Sequence, residues 1–477
     1  MTRVSLHARV ALAAALLCAL VLLFFWPGVA MYDSVAQYQQ VVSGSYYDWH
    51  PPAMARLWSL FHGIGWTGQA PMFVLQIGLY WLGLGLIAAA LAREGKRIAA
   101  IAVLALGLWP PFLGWQAAVL KDAQMAAALL AATGIIGWRR LTGQKPRPID
   151  LVAAVLLLVY ATLVRANAVF AAAPLAAGLF VPWTWRRWPV RLGLIAAGTL
   201  AVLAVSPSIN HHLLRADASG VEATQPIFDM AGIAHRAGPD AAPLLPRAVW
   251  AQAEALHCSS SVLWDPYSSG ERCGFVQDAL DGTSPHAIFA GWTGAIRAHP
   301  GAYAAHRIAH WNATMRWFVP WHFPLSIPEA GSEPNDLGLG SPAKAAEPFD
   351  KFAGWLANGP LGAPILALAA ALAVLALARP ASSAAHALAV PLALSAAALE
   401  TSFLLVSISS DWRYHLWSML AAWLAAILLL TRPLPRRAAR IALTLVLLVG
   451  ASEFAARLLL PAVGDNYEDL VGAPHGA

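Results

Sequence analysis

The sequence lacks charge: only 12% of its 477 residues are Asp, Glu, Lys or Arg, against about 25% in soluble domains. It also lacks the strict alternation of apolar and polar residues that marks membrane β-strands, and it has no internal repeat. Nothing in it resembles a nucleic-acid-binding module, so the net charge of +6 does not indicate a nucleic-acid partner. These absences exclude a soluble domain, a membrane barrel and a nucleic-acid-binding protein.

Long apolar runs are what the sequence has instead. Hydrophobic residues make up 59% of the chain, and they fall in blocks of about 17 to 25 residues, the length that crosses roughly 30 Å of hydrocarbon as a helix. We therefore predict an all-α membrane protein with about eleven transmembrane helices, the first of them a retained span rather than a signal peptide. The predicted spans are 8–30, 69–92, 98–115, 121–138, 151–165, 168–183, 192–207, 360–378, 386–408, 413–431 and 441–460.

Basic residues accumulate in alternate connections between these spans. Short cytoplasmic loops retain Lys and Arg, so we expect these connections to face the cytoplasm of a bacterial inner membrane and the others to face the periplasm. The basic connections contain Arg3 and Arg9; Arg93, Lys96 and Arg97; Arg139, Arg140, Lys145 and Arg147; Arg186, Arg187 and Arg191; and Arg432, Arg436, Arg437 and Arg440. The opposite side carries the single cations Arg56, Lys121, Arg165 and Arg413, which need another explanation.

The apolar blocks stop between residues 208 and 359, and this divides the chain. We predict an N-terminal transmembrane module (1–207), a mainly helical external domain (208–359) and a C-terminal transmembrane module (360–477). Cys258 and Cys273 both lie in the external domain, where they either form a disulfide, if the compartment is oxidising, or remain free thiols.

Polar residues gather in four places that the predicted topology puts on one side of the membrane. These are Asp33, Asp48 and His50 in the first external loop (31–68); Lys121 and Asp122; Arg165 and Asn167; and Asp411, Arg413, Tyr414 and His415. Ionisable groups at membrane depth are costly and usually face a polar cavity. Each group alone could instead be interfacial, with arginines reaching headgroups and aromatic residues forming a belt. Convergence of all four favours a site.

A carboxylate beside cations is suited to one kind of chemistry. The carboxylate can take a proton from a hydroxyl, and the cations can neutralise a departing phosphate. The residues therefore indicate group transfer from a lipid phosphate whose tail lies in the bilayer.

The polar motifs resemble those of the GT-C superfamily of membrane glycosyltransferases, which includes protein O-mannosyltransferases and the lipid A aminoarabinose transferase, and they are most similar to bacterial members of the family-39-like group. The resemblance rests on "YDSVAQYQQVVSGSYYDWHPP", "LKDAQMAA", "RANAVF" and "DWRYHLW", and it covers residues 8–460. It implies an inverting transfer of sugar from a polyprenyl-phosphate donor to an acceptor hydroxyl of a glycan, lipid or protein outside the membrane.

The resemblance also implies roles for individual residues. Asp33 matches the acidic residue near the reacting centre and Asp122 the second acidic position, and both are expected to be catalytic. Because Ser34 follows Asp33, the usual acidic pair is absent; this favours a lone base and leaves a divalent metal in doubt. The expected substrate-binding residues are His50, Lys121, Arg165, Arg413, Tyr414 and His415, with Tyr46, Tyr47 and Trp49 as sugar-stacking rings or belt residues.

Other functions fit parts of the pattern. A transporter or flippase of a lipid-linked sugar also needs many spans and a polar cavity, although transporters tend to show paired halves and charges near mid-membrane. An O-antigen-type ligase or polymerase shares substrates and topology with the transferase. His286, His306 and His310 in the external domain are expected to be surface histidines rather than metal ligands.

Overall fold

The computed structural model describes residues 5–181, 188–321, 323–326, 328, 330–378 and 382–461. Arg3, Arg186 and Arg187 of the predicted basic connections lie outside these residues. Over the described ranges every named element is a helix, and extended chain pairs only as isolated bridges. The all-α prediction is confirmed.

The α-helices divide among the three predicted parts of the chain. Those of the first part are α1 (Leu6–Phe24), α2 (Tyr32–Ser43), α3 (Ala53–Gly63), α4 (Ala70–Arg93), α5 (Arg97–Gly107), α6 (Pro110–Ala117), α7 (Lys121–Leu141), α8 (Pro148–Val164), α9 (Val169–Phe180) and α10 (Trp188–Ser208). The external helices are α11 (Thr224–Ala237), α12 (Arg247–Ala255), α13 (Phe275–Asp278), α14 (Pro285–Ala298), α15 (Pro300–Met315) and α16 (Glu347–Asn358). The last are α17 (Pro364–Leu377), α18 (Ala384–Ser402), α19 (Leu416–Leu429) and α20 (Arg436–Leu459).

Each predicted span overlaps a helix, except that 98–115 overlaps the pair α5 and α6. Within the described chain, length and composition make 5 helices candidates for crossing a membrane: α1, α4, α10, α18 and α20. The pair α5 and α6 raises this number to 6 if it counts as a single bent span, with a bend of 48°. The remaining predicted spans correspond to the shorter apolar helices α8, α9 and α17 and to α7 and α19.

The bend between α5 and α6 has a local cause in the sequence. Pro110 lacks an N–H and its ring disfavours a helical residue before it. Trp109 accordingly has extended backbone (φ −63°, ψ 123°), and α6 begins at Pro110. The predicted span 98–115 is therefore broken rather than continuous.

Helix α7 is the central element of the first module. Its residues from Asp122 to Gly134 are buried on every side, and it packs closely against α4. A Cβ atom at Gly83 of α4 would lie 2.5 Å from the Leu130 carbonyl oxygen, and one at Gly134 would lie 2.7 Å from the Gly83 Cα. Small residues permit this close approach of two helix backbones. The packing fixes the position of the first turn of α7 relative to α4.

The predicted external domain, called the external domain below, has its own core, formed by α11 to α14 around Phe228, Trp250, Trp264 and Tyr267. Cys258 and Cys273 are joined there by a disulfide. Outside the helices, the chain after α1 is also held by the segment that precedes α16, because the Ala30 amide donates to Ser332 Oγ at 2.8 Å.

The first external loop is tied to the external domain through its backbone. Tyr47 and Asp217 form an isolated parallel bridge. Asp48 Oδ1 accepts hydrogen bonds from the amide and the hydroxyl of Ser219, each at 2.7 Å. The rings of Trp49 and Trp264 lie 5.7 Å apart. Through these contacts Asp48 orients the loop against the 217–219 segment.

Candidate functional site

Helix ends and breaks bring the four polar groups together. Asp33 lies in the first turn of α2, Lys121 and Asp122 form the first turn of α7, and Arg165 lies at the break between α8 and α9. Arg413 lies in a short 3-10 helix (Trp412–His415) that leads into α19. We name Asp33, Lys121, Asp122, Arg165, Asp411 and Arg413 the ion cluster, because salt bridges connect all six.

Asp33 is the carboxylate that two cations share. Lys121 Nζ donates to Asp33 Oδ2 at 2.7 Å, and Arg413 Nη1 lies 3.3 Å from the same oxygen. The side chains of Asp33, Lys121 and Arg413 are 11%, 12% and 12% exposed, so water screens these pairs little. Burial alone would raise the pKa of Asp33, but the charges of Arg413 and Lys121 outweigh it and hold that pKa well below its ordinary value.

His50 lies against the same pair with a defined tautomer. Lys121 Nζ is 2.8 Å from His50 Nδ1, and since an ammonium can only donate, Nδ1 is the acceptor. Burial and the neighbouring charge of Lys121 lower the pKa of His50 to about 3, so the ring is neutral and its proton is on Nε2. That Nε2–H has no hydrogen-bond partner, and Asp33 Oδ1 lies 3.7 Å away.

Asp411 and Asp122 hold the arginines. Arg413 Nε lies 2.7 Å from Asp411 Oδ2, and the backbone amide of Arg413 donates to Asp411 Oδ1 at 3.1 Å. Arg165 Nη1 lies 2.6 Å from Asp122 Oδ1, and its Nε donates to Asn167 Oδ1. The Arg165 guanidinium also lies 4.1 Å from the centre of the Tyr414 ring. These contacts fix both guanidinium groups in place.

The ion cluster is electrically balanced. Its three carboxylates, Asp33, Asp122 and Asp411, face the three cations Lys121, Arg165 and Arg413, and His50 is neutral. Balance allows the cluster to stay buried without a bound ion. An anion entering next to Lys121 and Arg413 would compete with Asp33 for them, and the Asp33 carboxylate would then bind a proton more strongly.

The other predicted substrate-binding residues lie in separate surroundings. His415 is completely buried and pairs through Nδ1 with Glu400 at 2.6 Å and through Nε2 with Thr314. The Tyr46 ring is covered by the Arg56 guanidinium at 3.5 Å, and Trp49 packs on Trp264. Tyr47 is 37% exposed. Their roles as substrate contacts stay predictions.

A second buried polar network connects the external domain to the segment that carries Arg413. Arg307 donates to the carbonyl groups of Phe403, Leu404 and Ser407 and lies 3.2 Å from Asp229 Oδ1. Arg316 donates to the carbonyl oxygen of Ser410, next to Asp411. The two guanidinium groups therefore position the chain just before the ion cluster.

The expectation of surface histidines is wrong for two of the three. His306 and His310 are 1% and 0% exposed, because α15 turns this face toward α11 and the 403–411 segment; His310 Nε2 bonds Ser407 Oγ. His286 is exposed as expected. His306 and His310 are four residues apart, about one helical turn, so the sequence did indicate that they share one face of α15.

Sequence reasoning missed Glu400, Arg307, Arg316, Asp229 and Gln37, all of them buried. Arg307, Arg316, Asp229 and Gln37 lie in mixed or polar sequence, where residues of these types normally indicate solvated surface. Glu400 lies within the predicted span 386–408, so a charged residue inside an apolar run was the available signal. Within the described ranges no three His, Cys, Asp or Glu side chains are placed to hold a metal ion together.

No protein-family model matches the sequence, and no curated protein matches it either. Among solved structures, the chain is similar to ArnT from Cupriavidus metallidurans, a crystal structure with undecaprenyl phosphate bound. The identity is 14%, the match covers 89% of this chain and 76% of that one, and the TM-score is 0.29. A likeness at this level carries no argument about activity, which rests on the residues of the ion cluster.

Proposed function

We propose that the chain is a membrane glycosyltransferase that moves a sugar from a polyprenyl-phosphate donor to an acceptor hydroxyl on the external face of the membrane. The supporting observation is the ion cluster itself. Segments separated by up to 380 positions, from Asp33 to Arg413, meet in a buried set where one carboxylate is shared by two cations. The resemblance of the four motifs to GT-C enzymes points to the same reaction.

The donor phosphate binds Lys121 and Arg413 in this mechanism. These cations are the ones that lie 2.7 and 3.3 Å from Asp33 Oδ2. The phosphate takes over part of their positive charge, so the pKa of Asp33 rises from its depressed value toward the range in which a carboxylate accepts a proton. Binding of the donor phosphate thereby makes Asp33 a stronger base.

The chemical step is a single displacement. The acceptor oxygen attacks the anomeric carbon, the bond from that carbon to the phosphate oxygen breaks, and its electron pair leaves with the lipid phosphate. The acceptor proton passes to Asp33, and Lys121 and Arg413 stabilise the charge that develops on the phosphate. One displacement inverts the anomeric configuration. Asp122 acts through Arg165 and Arg413 and does not itself take the proton.

Release of lipid phosphate distinguishes this proposal from transport. Purified protein reconstituted in lipid vesicles is incubated with undecaprenyl phosphate carrying a radiolabelled hexose and with a total envelope glycolipid extract as acceptor. A transferase releases undecaprenyl phosphate and labels the extract, whereas a flippase moves the donor across vesicles without cleaving it. Intact donor after incubation, together with protein-dependent translocation, would contradict the proposal.

A further inference from the structure

Gln37 is a buried polar side chain that bonds nothing. The residue is 1% exposed, and neither its Nε2 nor its Oε1 has a hydrogen-bond partner. Buried amides in folded proteins are almost always bonded, because an unpaired buried donor or acceptor destabilises the fold. An amide left with both ends free therefore serves something other than stability.

Its place on α2 puts Gln37 beside the ion cluster. Asp33, Gln37 and Gln40 are spaced by four and three residues, so they form one stripe along α2. Neighbours at this spacing have Cβ atoms about 5 to 6 Å apart, which is roughly the span of one pyranose ring. Gln37 thus lies one helical turn from the carboxylate that is proposed to receive the acceptor proton.

The neighbouring residues of α2 have structural tasks, and Gln37 has none. Gln40 accepts from the Tyr47 amide, and Ser34 donates to the Val119 carbonyl at 2.6 Å. Tyr38 contacts His62 and accepts from the Gly68 amide. Each of these bonds fixes α2 to another segment. Gln40 Nε2 is also unpaired, but Gln37 is the buried residue of α2 whose amide lacks a partner at both its nitrogen and its oxygen.

A second free group flanks Asp33. The Nε2–H of His50 is buried and unpaired, 3.7 Å from Asp33 Oδ1. Together His50 and Gln37 offer donors and an acceptor with no ionic charge, the first 3.7 Å from Asp33 Oδ1 and the second one helical turn along α2 from Asp33. That combination complements hydroxyl groups, which donate and accept at once, whereas the phosphate is matched by Lys121 and Arg413.

We propose that Gln37 is a specificity-determining residue whose amide binds ring hydroxyl groups of the donor sugar, on the side of the ring away from the anomeric carbon. The inference rests on the proposed glycosyl transfer and adds the residue that selects the sugar. A site built to bond a hydroxyl discriminates strongly against a sugar that presents none there, because its buried polar atoms would stay unpaired.

The test compares Gln37→Leu with Gln39→Leu, a matched substitution at an exposed position of the same helix. Without donor, we expect Gln37→Leu to unfold at the same denaturant concentration as the parent or at a higher one, because it removes an unpaired amide. With undecaprenyl phosphates carrying glucose, mannose or galactose, we expect kcat/KM for the preferred sugar to fall about 10- to 100-fold. The differences in kcat/KM among the three sugars should become smaller. Gln39→Leu should leave both the unfolding concentration and the kcat/KM values unchanged.

The outcomes separate the inference from the function on which it rests. Transfer by the parent with an unchanged epimer preference in Gln37→Leu would overturn the inference and leave the function standing. Earlier unfolding of Gln37→Leu without donor would show a structural role and would also overturn it. Absence of transfer by the parent protein, with folding intact, would remove the function and the inference together.

Discussion

Replacing Asp33 with Asn is the sharpest perturbation of the ion cluster. The change keeps the shape of the side chain and removes one negative charge, so that Lys121, Arg165 and Arg413 face only Asp122 and Asp411. The balanced set becomes a buried group with one uncompensated positive charge. Asp33→Asn is therefore expected to reduce stability as well as transfer.

The magnitude follows from burial. Removing one partner of a buried ion pair costs about 3 to 5 kcal/mol, and the 11% exposure of the Asp33 side chain places the pair in that class. We expect a loss of about 3 kcal/mol at neutral pH. Because the pKa of folded Asp33 is held below its unfolded value, the contribution is complete above the unfolded pKa and is lost as pH falls through the folded pKa. The difference between parent and variant should therefore shrink in strong acid.

The assay is unfolding by sodium dodecyl sulfate in mixed micelles, followed by circular dichroism. Asp33→Asn combined with Lys121→Met restores the balance of charge, so the double variant should recover part of the lost stability, with a coupling of about 0.5 to 3 kcal/mol between the two sites. Equal unfolding of parent and Asp33→Asn, or strictly additive losses in the double variant, would refute the description of a balanced buried cluster.

Three further predictions concern other parts of the molecule. Arg413→Gln should raise KM for the donor more than KM for the acceptor in transfer assays; equal increases would make Arg413 structural. Cys258→Ser should reduce the stability of the external domain by about 3 kcal/mol, because the disulfide no longer restricts the unfolded chain across a separation of 15 residues. Limited proteolysis measures this loss, with the reduced parent protein as the control. Burial, with the charge of Arg307, lowers the pKa of His306 to about 3. As pH falls from about 6.5 toward 3, the His306 ring therefore binds a proton in the unfolded chain but stays neutral in the folded one. The free energy of unfolding then declines by up to about 1.4 kcal/mol per pH unit in that window. His306→Gln should flatten the profile, and an unchanged profile would contradict the buried neutral ring.

Hydrophobic run length was enough to predict where the helices lie. Each of the eleven predicted spans overlaps a helix or the bent pair, because the length of a run reflects the thickness of the bilayer. The break at Pro110 was not predicted, although proline marks it in the sequence. Apolar runs locate a helix well, but they do not reveal where its axis turns.

The members of the ion cluster could be predicted, but their partners could not. Lys121, Arg165 and Arg413 were noticeable because the predicted topology puts them on the side of the membrane where cations are rare. Which carboxylate each one meets depends on how α2, α7 and α8 cross, and no local pattern encodes that. The aromatic residues Tyr46 and Trp49 lie in the correct loop but pack against Arg56 and Trp264.

The buried polar residues outside the cluster left little local signal. Arg307 and Arg316 lie in mixed sequence, where arginine normally indicates solvated surface. Their burial depends on backbone carbonyl groups from residues 403–410, which lie 94 to 100 positions later in the chain. Gln37 lies in a polar stretch and looks like one of several solvated glutamines until its surroundings are known.

The bridge between Tyr47 and Asp217 restricts how the external domain can be exchanged. Backbone hydrogen bonds join the two segments, from the Asp48 amide to the Asp217 carbonyl and from the Asp217 amide to the Tyr46 carbonyl. In a chimaera that carries a foreign 208–359 segment, this bridge would join unmatched segments only three residues from His50. Grafts of another domain at this position should therefore carry residues 44–50 with it, as a single cassette.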